Sequence, residues 1–341
     1  MELSYAQNLE DYHLAQVFAG QRDGFYIDIG AGHPVADNVS FWFYLQGWRG
    51  LVVEPQAALA GLYAHVRPRD RAVCGLVGRV AGEADFHVVD RLHGFSTMNE
   101  AQARSAAAFG AGYRTRRLPV ATLARLCEEH GIGRIDFLKV DVEGAEAEVL
   151  AGADWRRWRP RVVVIEAVTP GSMAQAWGDW EPLLIEHRYA FAFFDGLNRF
   201  YVAEEEPALA SRLPRGPASW DAVAHLYACG RAPDNPEHPD HALARKLTDA
   251  FLAALPRLAP ELLLDLLIPA EAGALARDAT PDDRQDIARL LFGKLAAKSA
   301  LAKVSSPASL QQAYREAMQS DLFRAALGRI ASCYDGGQIM E

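Results

Sequence analysis

The chain has 341 residues, half of them apolar and 23% charged, enough for one large core or two moderate ones. That balance excludes a disordered chain, a collagen-like fibre and a coiled coil as the main architecture. With a formal net charge of −9 and no run of basic residues, neither nucleic acid nor an anionic membrane is the expected partner. Cys74, Cys127, Cys229 and Cys333 lie far apart with no C-x-x-C pair. Neither a zinc site nor a disulfide framework is therefore expected, and a cytoplasmic location is the default. The acidic N-terminus lacks the apolar segment of a secretory signal, and no apolar stretch is long enough to span a bilayer.

Phe25-Tyr-Ile-Asp-Ile29 is a short apolar run that ends at a glycine turn. Leu51–Val53, Ile135–Val140 and Val162–Ile165 are similar, each leading to an acidic residue. Short β-branched runs without alternation suit strands buried on both faces of a parallel sheet. Helix-like stretches at 38–47, 56–66, 122–130 and 145–151 separate them, and this rhythm predicts a doubly wound α/β sheet. Tyr189–Phe194 and Arg199–Val202 flank the turn formers Asp195-Gly-Leu-Asn198, a closing antiparallel hairpin at the sheet edge.

Residues 214–241, rich in Pro, Gly, His and Asp, read as a linker or extended loop. Amphipathic helices follow. Leu247, Phe251 and Leu255 mark one apolar face, and Ile287, Leu290, Leu291 and Leu295 a second, opened by the capping sequence Thr280-Pro-Asp-Asp283. Leu322, Phe323, Leu327 and Ile330 mark a third. The chain thus divides into a domain at 1–213, a linker at 214–241 and a helical module at 242–341. The module's apolar faces are expected to cover the acceptor cleft or to meet in a homodimer.

Asp28-Ile-Gly-Ala-Gly32 closes the first strand, and its spaced glycines let a ligand approach the main chain. Glu54 ends the next strand, where a carboxylate can accept hydrogen bonds from ribose hydroxyls. Together these features favour a nucleoside-containing cofactor. A dinucleotide wants a third small residue three places after the second glycine, but Val35 stands there, preceded by His33-Pro34. S-adenosylmethionine has no phosphate and carries a positive sulfonium, so an acidic strand end such as Asp28 suits it better. A second cluster, Lys139-Val-Asp-Val-Glu-Gly-Ala-Glu146, ends a central strand and should bring Asp141 to the same cleft as Gly30 and Glu54. Glu146 reads as a helix N-terminal charge, and Glu166 ends the following strand.

Ser4–Asp11, Phe25–Ala31, Gly47-Trp-Arg-Gly50 running to Glu54-Pro55, and Ile135–Glu146 together resemble the FkbM family of methyltransferases. Asp195-Gly-Leu-Asn-Arg-Phe-Tyr201 is similar to the segment that closes that domain. The resemblance covers roughly residues 4–203. It implies a class I fold with a seven-stranded sheet, S-adenosylmethionine as donor, and O-methylation of hydroxyls on sugars, glycans or polyketide-type natural products. It also implies that Asp28, Gly30, Ala31, Gly32 and Glu54 hold the donor, with Asp141 and Glu143 at the reaction face.

An alcohol acceptor must lose a proton as it is methylated, which calls for a base or a divalent metal. His33, where similar sequences commonly carry an acid or amide, titrates in the right range. His93 is a further base, and Asp141 with Glu166 offers hard oxygen ligands for Mg²⁺. Phe41-Trp-Phe-Tyr44 reads as core packing. Two other classes share parts of this pattern: a nicotinamide-dependent oxidoreductase, and a noncatalytic adaptor with a vestigial methyltransferase domain.

Overall fold

The computed structural model describes residues 1, 3–89, 93–169, 174–216, 219–230, 232–254, 316 and 319–335. Seven strands form its central sheet: Phe25–Ile29 (β1), Arg49–Val53 (β2), Arg71–Val73 (β3), Phe137–Val140 (β4), Val162–Glu166 (β5), Tyr189–Phe194 (β6) and Asn198–Ala203 (β7). Their order is β6-β7-β5-β4-β1-β2-β3, with β7 antiparallel to both neighbours and the other pairs parallel. Helices Glu10–Val17 (α1), Phe41–Leu45 (α2), Ala57–Val66 (α3), Leu123–Glu129 (α4), Glu146–Ala151 (α5) and Glu181–Glu186 (α6) flank it.

The apolar runs lack alternation because both faces are covered. Ile27, Ile29, Leu138, Val140, Val163 and Ile165 form one core with Leu126 of α4, Leu150 of α5 and Leu184 of α6. Tyr26, Val52, Phe137, Val164 and Phe200 face the other way, onto Leu14 and Val17 of α1, Phe43 of α2 and Tyr63 of α3. The aromatic run at 41–44 is core packing as expected: Phe41, Phe43 and Tyr44 are all buried.

The sequence reading omits a second sheet, formed by Leu76–Val77, Tyr113–Ala121 and Gly82–Val89 in that order. Much of Tyr113–Ala121 is exposed, so its Arg-rich sequence carries no run of buried apolar residues.

The expected boundary at residue 213 falls inside a compact unit made of Met1–Gly230 and Asp321–Glu341. Within the expected linker at 214–241, Ala224–His225 pairs in parallel with Leu3–Ser4, and His225 Nε2 lies 2.9 Å from the Ala6 carbonyl oxygen. The helix Asp321–Asp335 belongs to this unit too, not to a separate module. Asp321 pairs with Arg69, and a Cβ at Gly328 would lie 2.5 Å from Val35 Cγ2. Its buried face is Ala325, Ala326 and Ile330, while Leu322 of the expected face is 79% exposed. Small residues are what allow so close an approach.

The second unit is Arg231–Ser320, in which the helix His241–Ala254 is described. The faces expected around Leu255 and at 280–295 lie outside the described residues. Among the described residues, no helix is long and apolar enough to cross a membrane.

Candidate active site

A row of polar side chains crosses one face of the sheet at the carboxyl ends of its parallel strands. The two-residue period puts Asp28 and Lys139 on the face of Tyr26 and Phe137, and the two are register partners on β1 and β4. Glu54 follows β2 on one side; Glu166 of β5 and its register partner Asn198 of β7 lie on the other. Ligands bind at this edge in open α/β sheets.

At the β1–β2 end the groups are held by directed hydrogen bonds. Gly30 has φ +76°, and any Cβ there would overlap the Asp141 carbonyl. Gly32 has φ +60° and open space beside it. Glu54 accepts from the Gly32 amide at 2.8 Å and the Gln56 amide at 2.7 Å. Burial pushes its pKa up to about 7 against the pull of those two amides. Burial also raises the pKa of Asp28, which accepts from Ser40 Oγ at 2.6 Å. Behind this loop, the wholly buried Arg67 donates to Asn38 Oδ1 at 2.8 Å and Ser40 Oγ at 2.8 Å. Asn38 Nδ2 in turn donates to the Ala31 carbonyl at 2.9 Å.

At the β4–β5 end carboxylates crowd one another. Asp141, Glu143 and Glu166 each bring an oxygen within 4.8 Å of the other two. Lys139 Nζ donates to Asp141 Oδ2 at 2.8 Å. Burial, then the charge of Asp141, drives Glu143 and Glu166 well above the usual carboxylate range. Glu143 sits at φ +58°, a strained conformation for a non-glycine residue. Gln102 Nε2 holds its Oε2 at 3.1 Å, and Thr97 Oγ1 holds its carbonyl at 2.6 Å. Glu146 accepts from the Gly144 amide at 3.1 Å, so this expected dipole partner also secures the loop.

His33 does not have the geometry of a base. Its Nδ1 accepts from the amides of Val35 at 3.2 Å and Ala36 at 3.1 Å. The neutral ring then carries its proton on Nε2 and has no remaining lone pair for an acceptor's proton. His93 begins a short 3-10 turn through Phe95, and Gly94 of that turn approaches Glu143. The sequence reading also passed over Glu10, Asp195, Asn198 and Lys139 as site residues. Each lay inside a motif quoted for the family resemblance, which was the available signal.

The residues fit S-adenosylmethionine. The loop leaves room at Gly32, a strand-end carboxylate is in place at Glu54, and the surroundings are acidic, as a sulfonium requires. The next helix, α2, begins only at Phe41, so no helix N-terminus follows directly on the glycine turn to meet a pyrophosphate.

A mostly parallel sheet with flanking helices and this acidic edge makes a doubly wound α/β fold whose open end suits a cationic cofactor. Residues 28–191 match the family model of the methyltransferase FkbM domain. A 46-residue stretch, 13% of the chain, is 52% identical to methyltransferase sdnD of Sordaria araneosa and spans 18% of that protein. A TehB-like SAM-dependent methyltransferase from Corynebacterium glutamicum ATCC 13032 Kitasato is similar over 58% of this chain and 88% of its own, at 12% identity and TM-score 0.34.

Proposed function

We propose that this chain methylates a hydroxyl oxygen of a small-molecule or glycan acceptor, a sugar or a polyketide-type product, with Asp141, Glu143 and Glu166 handling the acceptor's proton. The observation that carries this reading is the convergence of those three carboxylates beside the glycine loop. Asp28, Gly30, Ala31, Gly32 and Glu54 would hold S-adenosylmethionine, which supplies an electrophilic methyl group whose leaving thioether is neutral and needs no acid. The protein's remaining task is to accept a proton from the hydroxyl. Glu143 and Glu166, crowded by Asp141 and largely removed from water, resist ionisation. The proton affinity of Glu143 and Glu166 therefore rises toward that of a useful base.

A hard cation such as Mg²⁺ is the second reading, favoured by the three oxygens within 4.8 Å of one another. Lys139 already gives this cluster a positive charge at hydrogen-bond distance, and so the base reading leads. The test is turnover of a hydroxylated acceptor after exhaustive chelation. Full activity supports the carboxylate base, whereas loss that Mg²⁺ restores supports the cation. Methylation of nitrogen or carbon acceptors with hydroxyls left untouched would refute O-methylation.

A further inference from the structure

Glu10 and Lys139 are among the most buried charged groups of the domain, at 2% and 3% exposure, and the reading above gives Glu10 no part. Glu10 opens α1, far from the sheet in sequence, yet its carboxylate is fixed from two sides. Asn198 Nδ2 donates to Oε1 at 2.7 Å, and the Asn8 amide donates to Oε2 at 2.6 Å. Each oxygen keeps a further lone pair. Lys139 has three N–H donors and, among the described residues, one hydrogen bond, to Asp141 Oδ2 at 2.8 Å.

Glu10, Lys139 and the more exposed Gln7 line one cleft together with Asp28, Gly30 and Ala31. Burial, then the charge of Asp195, pushes the Glu10 pKa up to about 8, and Lys139 works against that rise. Burial likewise opposes the charge on Lys139, while the carboxylates of Asp141 and Glu10 hold it cationic. A fixed carboxyl group and a fixed ammonium in one cleft match the two ends of a zwitterion, whose own ammonium would favour the ionised form of Glu10.

Their place in the sheet says which zwitterion. Lys139 lies beside Asp28, one strand from the glycine loop and two from Glu54. At about 4.8 Å per strand, Glu54 and Lys139 stand about 10 Å apart along the sheet edge, the reach of a nucleoside and its short side chain.

We propose that Gln7, Glu10 and Lys139 form the subsite for the α-amino-acid end of the methyl donor, with Lys139 Nζ taking the carboxylate and Glu10, helped by Gln7, the ammonium. This rests on the donor reading above. It gives the N-terminal segment a ligand to recognise, where a purely structural Glu10 would only tie α1 to the β6–β7 hairpin through Asn198.

Two probes separate those roles in calorimetry of the full chain. S-adenosylhomocysteine carries the amino-acid end, and 5′-methylthioadenosine lacks it. The wild type should prefer the first. Glu10→Gln and Lys139→Met should each weaken S-adenosylhomocysteine roughly 10- to 100-fold, the scale of a lost charge-assisted hydrogen bond, and leave methylthioadenosine within about twofold. Gln7→Ala, at the exposed rim, should cost a few-fold on the same ligand alone. Equal loss of both ligands would assign these residues to packing and overturn the subsite, as would unchanged S-adenosylhomocysteine affinity. A wild type that binds both probes equally overturns the subsite alone, whereas one that binds neither overturns the donor reading. If Lys139→Met does not fold, Glu10→Gln and Gln7→Ala decide.

Discussion

The two ends of the polar row are built on opposite terms. At the β1–β2 end each carboxylate has its own donors: Glu54 has two backbone amides and Asp28 has the Ser40 hydroxyl. At the β4–β5 end, Glu143 has Gln102 and Asp141 has Lys139, yet Glu143 and Glu166 also have Asp141 and each other within reach. The first arrangement suits recognition, since its carboxylates are already oriented by fixed donors. The second suits proton exchange, since adding or removing a proton relieves a repulsion already present. One edge of one sheet thus separates holding from reacting by how its acids are partnered.

Breaking the crowded end should have the largest effect. The double variant Glu143→Gln with Glu166→Gln should lower turnover roughly 10²–10⁴-fold, the range of a lost general base. Calorimetry with S-adenosylhomocysteine should find donor affinity nearly unchanged; a matching loss of affinity would erase the distinction between the two ends. Glu54→Ala makes the converse cut. It should weaken S-adenosylhomocysteine roughly 10- to 100-fold, while turnover at saturating donor recovers most of its wild-type value. Turnover that stays low at saturation would place Glu54 in the chemistry instead.

Smaller effects sharpen the contrast. His33→Ala removes the acceptor for two loop amides and should cost about 1 kcal/mol of stability, comparable to losing a helix cap. Its pH–rate profile should keep both limbs, and a vanished acidic limb would restore His33 as the base. The smallest effect is a slope. Glu54 has a pKa of about 7 in the fold against 4.5 for the free side chain. A raised folded value favours the fold fully below the unfolded pKa, and that contribution is lost as pH rises through about 7. The ligand-free melting temperature should therefore fall between about pH 5 and pH 8, less steeply in Glu54→Gln. Equal slopes in the two proteins would deny Glu54 its buried, uncharged form.

The donor end was legible because its signals are local: an apolar run, two glycines, and a carboxylate at the next strand end. The central sheet was legible for the same reason, since strands covered on both faces announce themselves as runs such as Val162–Ile165. Asn198 and Glu10 meet across 188 positions, and nothing in either neighbourhood specifies the meeting. Tyr113–Ala121 went unseen because a largely exposed strand needs no apolar run. His33 is a related case. Its pKa range is a property of the residue type, whereas its usefulness depends on which ring nitrogen the fold has already taken.

The helix Asp321–Asp335 sets the order in which the protein can be completed during synthesis. Gly328 lies against Val35, three residues past the glycine turn, so the backing of that turn is synthesised nearly three hundred residues after the turn itself. A nascent chain that has released everything through Gly230 holds all the motifs of the polar row and still lacks this support. Gly328 therefore cannot gain a side chain without pressing on Val35, just past that turn.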